Sequence, residues 1–222
     1  MTTIRLRGMT WDHPRGFDPL DKGVAGFAAA HPGIEGTWTR RSLRDFGVQP
    51  VEDLARDFDL IVVDHPFTGR AEATGCLMNL EPLLGGSFLA MLEEQSVGPS
   101  TRSYRFGSGV WALPTDAACQ VASYRPDLLA ALGRDTPPRS FEEVLQLGRD
   151  ARRRGLFLAL PSCQSDAACL VATMAANMGT PIRPDTPHLL PPDVFSNVLD
   201  LLRELLALSH PSSPDWNPIR TY

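Results

Sequence analysis

The first sixty residues alternate between segments with strand-like and helix-like patterns. Apolar and polar side chains alternate over residues 4–9, which predicts a strand that ends near Trp11. Residues 17–30 are rich in alanine and stop at a His-Pro-Gly sequence, which predicts a helix. Residues 34–41 contain a tryptophan and two threonines and predict a second strand.

The next segment continues this order. Apolar residues recur at helical spacing between positions 51 and 58, which predicts a second helix. Four consecutive apolar residues, 60–63, then predict a short strand that is apolar on both faces, as a central strand of a parallel sheet requires. Strands that alternate with helices predict an α/β fold with a doubly wound sheet.

The second half of the chain is predicted to be mainly helical, after a polar, glycine-containing stretch at residues 96–109. Ser140 and Glu143 have the spacing of a capping box, which marks the start of a helix. The predicted elements are a helix from Ser140 to Gly155, a short buried strand over residues 156–160, a helix over residues 167–178 and a final helix from Pro192 onward.

The tripeptide Asp-His-Pro follows two of the predicted strands, as Asp12-His13-Pro14 and as Asp64-His65-Pro66. In doubly wound sheets, ligands bind beyond the carboxyl ends of the strands. Each proline also biases the preceding histidine toward extended geometry, so that the chain leaves the strand on a stiff path. We therefore expect both tripeptides to border one ligand-binding crevice.

Residues 111–143, WALPTDAACQVASYRPDLLAALGRDTPPRSFEE, resemble the central segment of bacterial extracellular solute-binding proteins of ABC importers. The resemblance is to the sugar-binding branch, family 1, which has the type II periplasmic-binding-protein-like fold. The segment DLIVVD at residues 59–64 is similar to the first lobe of the same proteins. The residues that match the central pattern, in order, are Gly109, Pro114, Tyr124, Asp127, Leu128, Leu129, Pro137, Pro138, Ser140, Phe141 and Glu142.

The resemblance implies two α/β lobes that are joined by crossing strands and close on a solute. It implies that residues 1–114 form the first lobe and residues 115–222 part of the second. Members of the family return to complete the first lobe, whereas this sequence ends after one helix-rich section of the second. We therefore expect a member that is truncated at its C-terminus.

The resemblance also implies what the chain does. It implies a receptor without enzymatic activity or cofactor, which captures a small polar solute, with carbohydrate as the favoured class, and presents it to an ABC permease. Such a receptor is expected to be a monomer and to lie in the periplasm or elsewhere outside the cytoplasm. The N-terminus lacks the apolar core of a secretory signal, so a cytoplasmic ligand-sensing domain of the same fold is an alternative.

A carbohydrate site needs an aromatic face and fixed polar groups that pair with hydroxyls. Carboxylates suit the second need because ionised acceptors make stronger hydrogen bonds. Structural roles stay open for several candidates: Asp12 as a helix cap, Asp64 as a turn residue and Trp11 as a core residue. The predicted ligand-binding residues are Trp11, Asp12, His13, Asp64, His65, Phe67, Asp116 and Gln120, with Gln164 as a weaker candidate.

The two histidines and two aspartates of the tripeptides could also hold a divalent cation, because Zn²⁺ accepts such ligands. A metal-dependent hydrolase is therefore a second alternative, although the chain contains neither an HxH nor an HExxH sequence. A serine hydrolase is disfavoured, because there is no GxSxG sequence.

Charge and cysteine content narrow the remaining possibilities. The 21 basic residues are scattered and the net charge is −5, so we expect no binding to nucleic acid. No apolar run approaches the ~20 residues that cross a bilayer. The four cysteines are too dispersed for a disulfide framework and are expected to be buried thiols.

Overall fold

The structure is a computed structural model that describes residues 3–183 and 186–221. The chain divides into two compact units, residues 1–119 and residues 120–222. The strands of the first unit are β1 (Ile4–Trp11), β2 (Ile34–Arg41), β3 (Leu60–Ile61), β4 (Arg105–Phe106) and β5 (Gly109–Val110). Its α-helices are α1 (Pro14–Ala30), α2 (Leu43–Val48), α3 (Val51–Asp57), α4 (Thr68–Thr74), α5 (Glu81–Leu84) and α6 (Gly86–Gln95).

The first unit is built on a parallel sheet with the strand order β2-β1-β3. The strands predicted at residues 4–11 and 34–41 are confirmed, and they pair in register from Ile4↔Ile34 to Trp11↔Arg41. Helix α1 covers one face of the sheet, where a Cβ atom on Gly36 would lie 2.2 Å from Val24 Cγ2. The small residues of the strands therefore admit the helix and bring it close to the sheet.

The opposite face of the sheet is covered near its carboxyl edge. Met9 and Trp11 are each 6% exposed, and the Phe46 ring of α2 lies 6.4 Å from the Trp11 ring. Toward the amino edge, the same face carries Arg5 and Arg7, which pair with Glu35 and Asp59 in the solvent. Only the carboxyl half of this face thus belongs to the core.

The strand predicted at residues 60–63 differs from the expectation. It is two residues long, it lies at an edge of the sheet, and Leu60 is 45% exposed. A continuous apolar run predicts a central position in a parallel sheet, but that position requires a paired strand on each side. Among the described residues, β3 pairs with β1 alone, so the prediction of a central strand was wrong.

The polar stretch at residues 96–109 contains a 3₁₀ turn, Arg102–Tyr104, and the short antiparallel pair of β4 and β5. The crossing strand that the resemblance implied is not formed, because residues 111–125 belong to no helix or strand. Residues 115–128 are exposed. A strand needs a partner for its backbone groups, and none of the described residues pairs with this stretch in a ladder.

The second unit is helical and contains α7 (Pro126–Ala131), α8 (Phe141–Arg152), α9 (Gln164–Asn177), α10 (Pro192–Leu208) and α11 (Pro218–Thr221). The predicted helices at residues 140–155, 167–178 and 192 onward are confirmed as α8, α9 and α10. Residues of α9 and α10, together with Leu190 just before α10, form one buried cluster: Leu170, Met174, Ala175, Leu190, Val198, Leu202 and Leu205. The apolar residues Phe141, Val144 and Leu145 of α8 pack against it.

The strand predicted at residues 156–160 was wrong. The segment makes a single bridge, in which Leu158 N donates to Leu208 O at 3.2 Å and His210 N donates to Leu158 O at 2.9 Å. Phe157 is 39% exposed. The segment is not part of a sheet. Within the described residues, its one bridge partner is Ser209, the residue that follows α10.

The start of α8 offers a direct test of the capping assignment. Ser140 Oγ accepts a hydrogen bond from Glu143 N at 3.3 Å. We expect Ser140→Ala to lower the free energy of unfolding by about 1 kcal/mol, because one helix N–H group loses its partner. Ser140→Asp restores an acceptor and should behave like the wild type in urea-induced unfolding. Equal losses for both variants would contradict the capping role.

Two expectations about the surface can be compared with the structure. The cysteines were expected to be buried, yet Cys76 and Cys163 are half-buried and Cys119 and Cys169 are exposed. The apolar character of a cysteine does not by itself decide whether it is buried, because burial also depends on which face of its segment the residue occupies. Of the helices in the described ranges, none combines the length and the apolar composition that crossing a membrane requires.

Candidate functional site

Three chain segments meet at the carboxyl edge of the parallel sheet. Trp11 and Arg41 are partners at the ends of β1 and β2. On the other side of β1, Val62 N donates to Met9 O at 2.9 Å, so the chain after β3 leaves at the same edge. The two Asp-His-Pro tripeptides therefore follow neighbouring strands, as the sequence predicted.

We call the polar and aromatic residues at this edge the strand-end cluster. All of its members belong to the first unit. Its members are Trp11, Asp12, His13, Arg15, Arg41, Asp64, His65, Tyr104 and Asp116.

The first tripeptide forms the entry to α1. His13 is the N-cap, and its Nδ1 accepts a hydrogen bond from Arg15 N at 3.2 Å. Because Nδ1 is the acceptor, the proton of the neutral ring resides on Nε2, which is left to act as a donor. The alternative in which Asp12 caps this helix was wrong. The Asp12 carboxylate is exposed, and its backbone N donates to Arg41 O at 2.7 Å.

Trp11 packs against the start of α1 and is covered on several sides. The His13 ring is stacked on it with ring centres 4.9 Å apart, and the Arg15 guanidinium lies 5.1 Å from its centroid. Gly16 allows α1 to contact the indole, since a Cβ atom there would lie 2.3 Å from Trp11 Nε1. With 6% of its surface exposed, Trp11 in this structure holds the His13 ring rather than offering an open face of its own.

The second tripeptide starts a 3₁₀ turn, His65–Phe67, that runs into α4. Asp64 is at the N-cap position, and its carbonyl oxygen accepts from Phe67 N at 3.1 Å. The His65 side chain is exposed, while Phe67 is half-buried. Each tripeptide thus begins a helical turn, with Pro14 at the first position of α1 and Pro66 at the second position of the 3₁₀ turn.

The Asp64 carboxyl is influenced both by burial and by three charged neighbours. Burial raises the pKa of its carboxyl, His65 and Arg41 oppose this rise, and the negative charge of Asp116 adds to it. The residue nevertheless reaches solvent.

Tyr104 and Asp116 complete the cluster from later parts of the first unit. The Tyr104 hydroxyl donates to Val63 O at 3.3 Å, and burial raises its pKa, as do the charges of Asp64 and Asp116. Asp116 forms an ion pair with Arg15 at 3.2 Å. The region after Pro114 therefore places a carboxylate against Arg15, the residue that directly follows the first tripeptide.

Three predicted residues fall outside this cluster. Phe67 lies in the turn that follows Asp64 and is half-buried. Gln120 belongs to the second unit, where its Oε1 accepts a hydrogen bond from Thr173 Oγ1. Gln164 is the first residue of α9, and its side chain lies outside the described part of the chain. A ligand-binding role for any of the three residues stays a prediction.

The cluster provides hydrogen-bonding groups of both kinds. Asp12 and Asp64 supply carboxylate acceptors, and His13 Nε2 supplies a donor. Within residues 3–183 and 186–221, no three His, Cys, Asp or Glu side chains are grouped closely enough to hold a metal ion.

Sequence reasoning missed three members of the cluster: Arg15, Arg41 and Tyr104. Arg15 could have been found, because it directly follows the first tripeptide. Arg41 could not, because it shares a strand face with Thr37 and Thr39, a polar pattern that indicates solvent. Tyr104 comes from the polar stretch at residues 96–109, where no periodic pattern fixes its direction.

Comparison with solved structures identifies the fold. Maltose-bound MalE3 of T. maritima superposes with a TM-score of 0.71 at 14% identity over 98% of this chain. A ribitol-bound ABC transporter solute-binding protein of Agrobacterium radiobacter K84 gives 0.72 at 19% identity over 99%. The galacto-N-biose-/lacto-N-biose I-binding protein of the ABC transporter from Bifidobacterium longum, bound to lacto-N-biose, gives 0.66 at 15% identity over 98%.

The chain therefore has the α/β fold of type II periplasmic binding proteins, as the sequence predicted. It spans 57% of the length of the first of these structures and 55% of each of the other two. No protein-family model matches the chain, and no curated protein matches it in sequence.

Proposed function

We propose that the chain is part of a receptor that captures a small polar solute, a carbohydrate, for delivery to an ABC importer. The observation that carries this proposal is the strand-end cluster, which lies at the carboxyl edge of the sheet, where α/β folds bind ligands. The fold supports it, because the solved structures that share it include proteins bound to maltose, ribitol and lacto-N-biose.

The chemistry of the cluster fits a sugar or polyol. Hydroxyl groups are both donors and acceptors, so they can donate to the carboxylates of Asp12 and Asp64 and accept from His13 Nε2. The imidazole of His13 is held parallel to the Trp11 ring, and its outer face can pack against the apolar side of a pyranose. His65 and Phe67, in the turn that follows Asp64, are the further candidates for contact with the solute.

The remaining parts of the proposal follow from the same fold. The receptor does no covalent chemistry, needs no cofactor, acts as a monomer outside the cytoplasm and is recognised by a permease. Asp116 is connected to the site by its ion pair with Arg15. We assign the boundary between the two lobes to the region of residues 114–119, where the chain passes from the first compact unit to the second.

A thermal-shift screen of the 222-residue protein tests the solute class. The panel contains monosaccharides, disaccharides, polyols, amino acids and polyamines, and each hit is repeated by calorimetric titration. A sugar present at about 100 times its Kd stabilises the folded state by about 2.7 kcal/mol, which raises Tm by several degrees. We expect stabilisation by at least one sugar or polyol.

The other compounds on the panel act as the control. Flat responses to every sugar and polyol, together with stabilisation by an amino acid or a polyamine, would refute the carbohydrate assignment. Stoichiometric zinc in the purified protein, lost on His13→Ala and His65→Ala, would instead favour a metal-dependent enzyme.

A further inference from the structure

Tyr104 makes a hydrogen bond to the residue that precedes the second tripeptide. Its hydroxyl donates to Val63 O at 3.3 Å, and Val63 is followed directly by Asp64. The register of β3 with β1 ends at Ile61, so Val63 O lies beyond this ladder and needs another donor. Val63 is 7% exposed, so solvent has little access to take the place of the tyrosine.

The backbone of Tyr104 is hydrogen-bonded on both sides. Tyr104 N donates to Thr101 O at 3.3 Å, and Tyr104 O accepts from Trp111 N at 3.0 Å. Thr101 is 2% exposed, and its Oγ1 donates to Ser96 Oγ at 2.6 Å. The Tyr104 side chain therefore projects from a backbone whose own position is fixed by the core of the first unit.

The hairpin of β4 and β5, which begins directly after Tyr104, also contacts the helix on the other side of the second tripeptide. Helix α4 follows the turn that this tripeptide starts. The Phe106 ring packs against Gly69 of α4, where a Cβ atom would lie 3.3 Å from Phe106 Cζ. Ser108 N donates to Glu72 Oε1 of the same helix at 3.0 Å. The second tripeptide thus has contacts to residues 104–108 both before it begins and after its turn ends.

The contact of Tyr104 acts on Asp64 through the chain. The carbonyl group of Val63 and the Cα atom of Asp64 belong to one peptide unit, which is planar and nearly rigid. A shift of this carbonyl group therefore displaces the Asp64 side chain. The hydroxyl proton of the half-buried Tyr104 is used in the bond to Val63 O, so its effect on a solute is indirect.

We infer that Tyr104 is a positioning residue of the proposed solute site, which fixes the second tripeptide through its hydrogen bond to Val63 O and so sets the place of the Asp64 carboxylate. The part of this inference that concerns the solute rests on the proposed function. The part that concerns the order of the tripeptide does not, and it can be measured without any solute.

The direct test is amide hydrogen exchange, followed by NMR in the solute-free protein. The amides of Phe67 and Thr68 report on the second tripeptide, because their acceptors are its first two carbonyl groups. Tyr104→Phe removes the hydroxyl and keeps the ring. In this variant we expect both amides to exchange about 3 to 10 times faster, which is the effect of one lost hydrogen bond on a local opening equilibrium.

The turn after the first tripeptide is the internal reference. Gly16 N and Phe17 N donate to His13 O at 2.8 and 3.1 Å, and both amides should keep their wild-type exchange rates in Tyr104→Phe. The matched control is Tyr124→Phe, because Tyr124 is 54% exposed and lies in the second unit, so this variant should leave both turns unchanged. Unchanged rates in the turn after the second tripeptide, or equal acceleration in both turns, would overturn the inference.

Binding measurements then connect this contact to the site. Tyr104→Phe should bind a sugar found in the screen about 3 to 10 times more weakly than the wild type. Added to Asp64→Asn, the same substitution should cause a much smaller loss, because its effect passes through the Asp64 carboxylate. Losses that simply multiply in the double variant would refute the positioning role. Faster exchange after the second tripeptide in a protein that binds no sugar would refute the proposed function and leave the order of the tripeptide assigned to Tyr104.

Discussion

Gly16→Ala is expected to destabilise the protein, whereas the same substitution at Gly23 or Gly26 on the same helix is expected to stabilise it. At Gly16 the new methyl group would lie 2.3 Å from Trp11 Nε1 and 2.6 Å from two further ring atoms. The indole is buried and cannot swing away, so α1 must move. The cost of such overpacking is about 1–3 kcal/mol.

The two control positions isolate this contact from helix propensity. A methyl group on Gly23 or Gly26 meets no described atom within 4 Å. Alanine there reduces the freedom of the unfolded chain and should add about 0.4–1 kcal/mol of stability. Thermal unfolding of the three variants measures both signs. A loss of stability in all three would show that the Trp11 contact is not the cause.

Asp64→Asn is expected to weaken sugar binding by a factor of about 10 to 100. The substitution keeps the shape of the side chain but removes the charge that strengthens a hydrogen bond from a solute hydroxyl. A hydrogen bond to a charged group contributes about 1.5–3 kcal/mol, and each 1.4 kcal/mol corresponds to a factor of ten in Kd. The measurement is calorimetric titration with a sugar that stabilises the wild-type protein.

The matched control for this substitution is Asp57→Asn. Asp57 is an exposed residue at the end of α3, just before the amino end of β3, so it lies at the opposite edge of the sheet. Its removal changes the net charge by the same amount and should leave Kd unchanged. If the two variants bind equally well, Asp64 does not contact the solute.

The parts of the fold that the sequence predicted are those in which one local pattern decides the outcome. Alternation over residues 4–9 sufficed for β1, because its amino half is polar on one face. The capping pair of Ser140 and Glu143 sufficed for the start of α8, because a helix N-terminus needs an acceptor wherever it lies.

The predictions that were wrong concern partners, which lie far away in the sequence. The apolar runs at residues 60–63 and 156–160 have the composition of buried strands. Whether such a run joins a sheet depends on the segments beside it. The first became a two-residue edge strand and the second a single bridge. The apolar composition of the two runs was correctly identified, but the number of strands that pair with each run could not be derived from it.

The candidate site was predictable in its location and less so in its internal arrangement. The strand-end rule placed both tripeptides at one edge, because parallel strands direct their carboxyl ends to the same side. It could not show that His13 rather than Asp12 caps α1, nor that Trp11 is covered by its own neighbours. Those outcomes depend on side-chain packing, which periodicity does not encode.

The order of the sheet also determines how two molecules of this protein could aggregate. In the described structure both outer strands, β2 and β3, have one side without a ladder partner. A two-residue strand such as β3 offers too few backbone groups to serve as a template, but β2 offers eight residues. Glu35 and Arg40 carry charge onto that strand and oppose stacking of identical copies. Replacing Glu35 and Arg40 with apolar residues would remove these charges from the edge strand and favour aggregation of the protein.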